Sequence, residues 1–225
     1  MARSDISYMN WDELINGVPQ LCEEVKNYRE RLKQKLGSRV NKDVRYIMLG
    51  AMRDDYASAL WIIAGLITIT KQEVRIDEFA KIVDQEVNKE KIELTYTDYL
   101  RRSVITRIYF LLDYYLASLS QHTNGSCERQ VYKNAKTVQK ELGVPISNID
   151  VFSAIGYTRN SFHNNGIHQD KSQNYTINDR QYNFQPGNTV ALHWVDISTL
   201  IHASIRTAMH WGQKLPDHIL IPEKH

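Results

Sequence analysis

This sequence predicts an all-α fold: an up-and-down bundle of about six or seven helices with a small β-hairpin before the last one. Three observations carry that expectation. Apolar residues recur at spacings of three and four along most of the 225 residues, which is the repeat of one helix face. A single segment alternates with period two instead. No Pro/Gly/Ser linker, low-complexity tract or fixed-period repeat divides the chain. Residues 1–225 therefore read as a single domain, with a hairpin insertion at about 173–187 and a loosely ordered tail at 214–225.

Taken in order, Pro19 opens the first helix at a position where its missing N–H costs nothing. Leu21, Val25, Tyr28 and Leu32 follow on one face, and Gly37 ends it. The opposite face, rich in Lys, Arg and Glu, is solvated. A second helix spans about 41–66, with Val44, Ile47, Met48 and Ala51 as its inner stripe and the apolar run 57–69 as its buried end. Ser58 and Gly65 interrupt that run, which is too short to cross a bilayer comfortably. Asp54 and Asp55 are adjacent and diverge by about a hundred degrees on a helix, so they pair with Arg53 or Arg45 rather than share a metal ion.

Asp77 caps a third helix bearing Phe79, Ile82, Val83 and Val87. Thr97 caps a fourth, where Leu100, Val104, Ile108, Leu111, Tyr115 and Leu119 form a core stripe. Arg101, Arg102 and Arg107 lie partly off that stripe, as surface cations or as the lining of a phosphate-binding groove. Beyond Asn124-Gly125, a fifth helix carries Tyr132, Ala135, Val138 and Leu142 to a stop at Gly143. Ser147 and Asp150 resemble a capping box for a sixth, which turns Phe152, Ile155 and Phe162 inward. The hairpin pairs Asn174-Tyr-Thr-Ile with Tyr182-Asn-Phe-Gln across Asn178-Asp179, and Pro186-Gly187 closes it. A final helix over about 192–211 buries Val195, Leu200, Ile201, Ile205, Ala208 and Met209.

Composition narrows the function classes. With 28 basic and 26 acidic residues the net charge is +2, so any nucleic-acid contact has to be local. Cys22 and Cys127 lie far apart with no metal-ligand spacing near them, which suits free thiols in a reducing cytoplasm. The first residues lack the apolar core of a signal peptide, and nothing points to a membrane. Glycine-rich phosphate loops, Cys-x-x-Cys, His-Glu-x-x-His and Gly-x-Ser-x-Gly are all missing. His193, His202 and His210 recur two turns apart, too far to share one ion, so no metal site or cofactor is expected.

The chemistry concentrates in Tyr157-Thr-Arg-Asn-Ser-Phe-His-Asn-Asn-Gly-Ile-His168. On a helix, Arg159 and His163 share one face. Arginine holds a phosphate as a fork, and histidine titrates near neutral pH. Together they can hold a phosphodiester and move a proton at it. Asn164, Asn165 and Gly166 tolerate the left-handed backbone of a helix end, so the pair stands where a pocket can open.

Arg159-Asn160 followed by His163-Asn164-Asn165-Gly166, late in a helical domain, resembles the HEPN superfamily (higher eukaryotes and prokaryotes nucleotide-binding domain). A motif helix followed by a hairpin and a closing helix is also similar to some of its bacterial branches. The resemblance implies a metal-independent endoribonuclease of the kind found in toxin–antitoxin and phage-defence systems. It further implies a homodimer whose two motifs face one cleft, and an antitoxin or other defence protein as a further partner. The family signature sets arginine and histidine some four to six intervening residues apart. Here three residues separate Arg159 from His163, and eight separate Arg159 from His168.

On this resemblance the attacking group is the substrate's own 2′-hydroxyl. His163 moves a proton, Arg159 holds the phosphate, Asn160 orients either of them, and His168 is the complementary acid or base. Asn164, Asn165, Tyr157 and Arg102 would contact single-stranded or loop RNA, with Tyr157 stacking on splayed bases. Two other readings stay open. A register with Asn164 in the histidine's place gives an inactive binding module, and a nucleotide-binding partner of a nucleotidyltransferase would likewise keep Arg159 and tolerate loss of His163. An interaction protein would instead bury Arg159 and His163 across an interface.

Overall fold

The computed structural model describes residues 11–71, 89–145, 147–215 and 218–220. Among them the chain forms six helices: α1 (Trp11–Leu36), α2 (Val44–Lys71), α3 (Lys89–Asn124), α4 (Val131–Leu142), α5 (Ser147–His163) and α6 (Trp194–Gln213). An antiparallel hairpin of β1 (Gln173–Ile177) and β2 (Arg180–Phe184) stands between α5 and α6. The predicted helix with Asp77, Phe79, Ile82, Val83 and Val87 lies outside the described residues. No described helix is long and apolar enough to cross a membrane.

The centre of the fold is α3, which packs on α2, α4, α5 and α6. Its stripe of Leu100, Val104, Ile108, Leu111, Tyr115 and Leu119 is buried as predicted. Leu21, Val25, Tyr28 and Leu32 bury one face of α1, and Phe152, Ile155 and Phe162 point inward from α5. The final helix buries Leu200, Ile201, Ile205, Ala208 and Met209 as expected, and it adds Trp194 and Trp211 at its two ends. Val195 is only half-buried. Asn178 and Asp179 both take positive φ in the two-residue turn of the hairpin, a backbone that matches the twist of its strands.

Several local expectations fail for identifiable reasons. Pro19 lies inside α1, which begins by Trp11. A proline there removes one backbone bond, and the helix continues because its apolar face is held by the core. Nearby Gly17 lets α1 approach α6 so closely that a Cβ would strike the His202 ring at 2.8 Å. Thr97 does not cap α3, which already runs from Lys89. In α4 Ala135 and Val138 are buried as expected, but Val131 is the buried residue of the first turn and Tyr132 faces solvent.

The inner stripe of α2 is Val44, Leu49, Met52, Tyr56 and Ala59, with Ile47, Met48 and Ala51 half-buried beside it. Its apolar run is not uniformly buried either, since Trp61 is 81% exposed. A run that is apolar on every side gives no period from which to tell the inner face. Of the adjacent acids, Asp54 pairs with Arg53 at 2.6 Å and Asp55 with Arg107 at 2.7 Å. Arg45 goes elsewhere.

Arg45 is buried, against the ordinary habit of arginine. Its Nε and Nη2 donate to the two carboxylate oxygens of buried Asp43 at 2.9 and 2.7 Å. Its Nη1 donates to the carbonyls of Gly212 and Leu215 at 3.1 and 2.6 Å. Asp43 also accepts the backbone N–H of Ile219 at 3.0 Å, and the Val44 N–H donates to the Ile219 carbonyl. Burial raises the Asp43 pKa, but these hydrogen bonds outweigh it and hold the carboxyl below its ordinary value. Gly212 makes room for the arrangement, because a Cβ there would run into the hydroxyls of Tyr115 and Tyr28 and the stem of Arg45. The tail expected to be loose is thus fixed at least at Leu215 and Ile219, both buried.

His202 gives the fold an acid sensitivity. Its ring meets Tyr56 edge-on at 5.3 Å, and its Nε2 has no hydrogen-bond partner among the described residues. Burial, aided by Arg206 and opposed by Glu24, pushes its pKa down to about 4. The folded value lies below the unfolded one, so the stabilisation is complete above pH ~6.5 and is lost as pH falls toward 4, by an amount on the order of 3 kcal/mol. The thermal midpoint should therefore drop more between pH 7 and pH 4.5 in wild type than in His202→Gln. Equal drops would clear His202 of this role.

Candidate functional site

The end of α5 is built by its own sequence. Asn165 takes φ 56° and Gly166 φ 84°, and the Gly166 N–H reaches back to the Ser161 carbonyl at 2.8 Å, which is the six-to-one bond of a Schellman stop. Arg102, from α3, donates to the neighbouring Phe162 carbonyl at 2.8 Å and is held by Asp98 at 2.7 Å. Its side chain also lies over the Phe162 ring at 5.9 Å. Arg102 thus satisfies a carbonyl that the helix end leaves open. It does not line the pocket described next.

On the outer face of this helix end, Arg159, Asn160, His163 and Asn164 line an open pocket of about 250 Å³, together with Gln169 and Asp170 from the following loop. His163 is exposed, while Arg159 and Asn160 are half-buried. The Arg159 Nη1 donates to the Asn160 side-chain carbonyl at 3.1 Å, which leaves the Asn160 amide nitrogen as a free-facing donor type. Beneath the guanidinium lie the rings of Tyr109 at 5.5 Å and Phe110 at 5.7 Å. The buried Arg159 Nε has no hydrogen-bond partner among the described residues. Tyr109 packs so close to α5 that a Cβ on Gly156 would touch it at 3.4 Å. Burial and the Asp113 carboxylate raise the Tyr109 pKa, with Arg159 opposing them, so its hydroxyl stays neutral.

His168 is not part of this pocket. It is 1% exposed, with Nε2 at 3.0 Å from the Lys171 carbonyl and its ring against Tyr157 and Phe184. Its backbone exchanges hydrogen bonds with Asn188 and Gly187. The expected complementary acid or base is therefore a structural anchor, and it fixes the loop that brings Gln169 and Asp170 to the pocket. Tyr157 likewise stacks on Tyr175 at 6.1 Å and meets Phe184 at 5.5 Å, so its ring holds the hairpin rather than offering a free face. Asn165 is exposed at the left-handed position and serves the turn.

Sequence reading thus places Arg159, Asn160, His163 and Asn164 together and misses Gln169, Asp170, Tyr109 and Phe110. For the two aromatics a signal existed, since they lie off the core stripe of their helix. For Gln169 and Asp170 there was none, because a tertiary anchor positions them. Chemically, the pocket offers the Arg159 cation, the amides of Asn160, Asn164 and Gln169, an accessible imidazole and the Asp170 carboxylate. Among the described residues, no three His, Cys, Asp or Glu side chains are grouped to hold a metal ion. No family model, curated protein or solved structure matches the chain.

Proposed function

We propose that the chain is a metal-independent endoribonuclease of the HEPN type, acting on single-stranded or loop RNA. The observation that supports it is the joint lining of one open polar pocket by Arg159, Asn160 and an exposed His163. Arg159 grips the non-bridging oxygens of a phosphodiester as charge builds on them, with the aromatic floor and Asn160 fixing the guanidinium plane. His163 takes the proton from the 2′-hydroxyl, whose oxygen attacks phosphorus. The bond from phosphorus to the 5′-oxygen breaks, that oxygen leaves with a proton, and a 2′,3′-cyclic phosphate remains.

Both proton transfers need a group, and buried His168 cannot reach the substrate. In the proposal a second copy of the chain supplies its own His163 across a two-fold axis, making a homodimer the active form. The competing reading, an interaction module, would bury Arg159 and His163 across an interface with a partner, so the exposure of His163 in the single chain fits both readings, and RNA cleavage decides between them.

The test incubates wild type and Arg159→Ala with mixed cellular RNA in EDTA. Wild type should cleave, leaving cyclic phosphate ends, and the variant should not. Strict dependence on an added divalent ion, or no cleavage by wild type, overturns the proposal.

A further inference from the structure

On the side of α3 away from its core stripe, Arg107, Phe110 and Tyr114 follow one another at spacings of three and four, so they form one stripe. Phe110 is 47% and Tyr114 41% exposed. Large rings on a core helix are normally packed away, so two adjacent exposed ones ask for a ligand. The stripe meets the pocket at its middle, because the Phe110 ring underlies the Arg159 guanidinium, and Tyr114 lies one turn beyond on the side away from Arg107. At its other end Arg107 is bonded only at the surface, to Asp55, in a pair that a phosphate can displace.

We infer that Phe110 and Tyr114, with Arg159 and Arg107 beside them, form a ledge on which bases of single-stranded RNA stack next to the scissile phosphate. The inference rests on the ribonuclease reading above. Aromatic rings interleaved with arginines suit a polyanion that carries flat bases, since every base offers a π-face and the cations meet its phosphates. Residues four apart on a helix are displaced by about 6 Å along its axis. That is close to two stacking steps of ~3.4 Å, so a base and the next but one along the strand can each find a ring. Such a ledge is tolerant of base sequence and selective for unpaired strands. It also assigns Arg107 to the phosphate-binding role that its place off the core stripe suggested.

The experiment measures anisotropy of a labelled, uncleavable 2′-O-methyl single strand and of an abasic strand of equal length, with wild type, Phe110→Ala, Tyr114→Ala and Tyr114→Trp. Circular dichroism confirms that each is folded. Tyr114→Ala should weaken binding of the base-bearing strand roughly tenfold and leave the abasic strand unchanged, Phe110→Ala, whose ring also underlies Arg159, should weaken the base-bearing strand more than the abasic one, and Tyr114→Trp keeps wild-type affinity. Equal weakening of both strands would mean that the rings only position Arg159, and it overturns the ledge. So does unchanged affinity in both alanine variants. In either case, retained RNA cleavage by wild type shows that the ribonuclease reading survives alone. If wild type binds neither strand, ledge and reading fall together. Loss of a concentration-dependent dimer in the alanine variants, with RNA affinity unchanged, identifies the stripe as a self-association face and also overturns the proposal.

Discussion

His163→Ala is expected to slow RNA cleavage by about 10²–10⁴-fold in kcat while binding RNA almost as tightly as wild type. In the proposed mechanism the imidazole moves a proton only as the phosphodiester reacts, so its removal would be felt in the transition state and little in the ground state. Arg159→Ala should differ in kind, because the guanidinium grips phosphate before and during reaction. That variant is expected to lose affinity as well as rate, and lysine in its place should restore only part of either, since an ammonium offers no planar fork over Tyr109 and Phe110. Single-turnover cleavage paired with binding of an uncleavable strand separates the cases. A His163→Ala protein that cleaves within threefold of wild type would remove the histidine from the mechanism.

The second large effect concerns the fold. Asp43→Ala is expected to destabilise the protein by about 3–5 kcal/mol, because it removes the carboxylate that faces the buried Arg45 cation. Arg45→Ala should also destabilise, though less, because the buried carboxylate keeps the backbone N–H donors of Ile219 and of residue 45. The double change Asp43→Leu/Arg45→Met should recover much of the loss, since a buried pair is worth little more than well-packed apolar groups. Urea titration of the four proteins reads this directly. Single variants within 1 kcal/mol of wild type would show that water reaches the pair and that its burial is not what holds the helices.

How far the sequence spoke depends on how local each determinant is. The α3 stripe was legible because its partners repeat every three or four residues, and the hairpin because Asn178 and Asp179 alone set the turn. Arg159, Asn160, His163 and Asn164 were legible as a site for the same reason, since one helix end holds them all. His168 was misread because nothing adjacent in sequence reveals that Tyr157, Phe184 and Lys171 enclose it. Arg45 was assigned to Asp54 or Asp55 because an arginine near acids on a helix is usually a surface pair. Its real acceptors at Gly212 and Leu215 lie 167 and 170 residues away. Trp61 shows a further limit, for hydrophobicity alone cannot tell an inward ring from an outward one.

That 170-residue span also bears on kinetics. Joining Arg45 to the Leu215 carbonyl closes a very long loop, and the entropy of closure must be met before the bond forms. The knot of Asp43, Arg45 and Ile219 is therefore expected to be completed after the helices have condensed, with little of it formed in the folding transition state, which a denaturant chevron of Asp43→Ala would read as faster unfolding at a nearly unchanged folding rate. Interactions of that kind leave the folding rate nearly unchanged and slow unfolding instead. On that expectation the ion pair acts as a latch on the lifetime of the native state, held by the segment around Ile219.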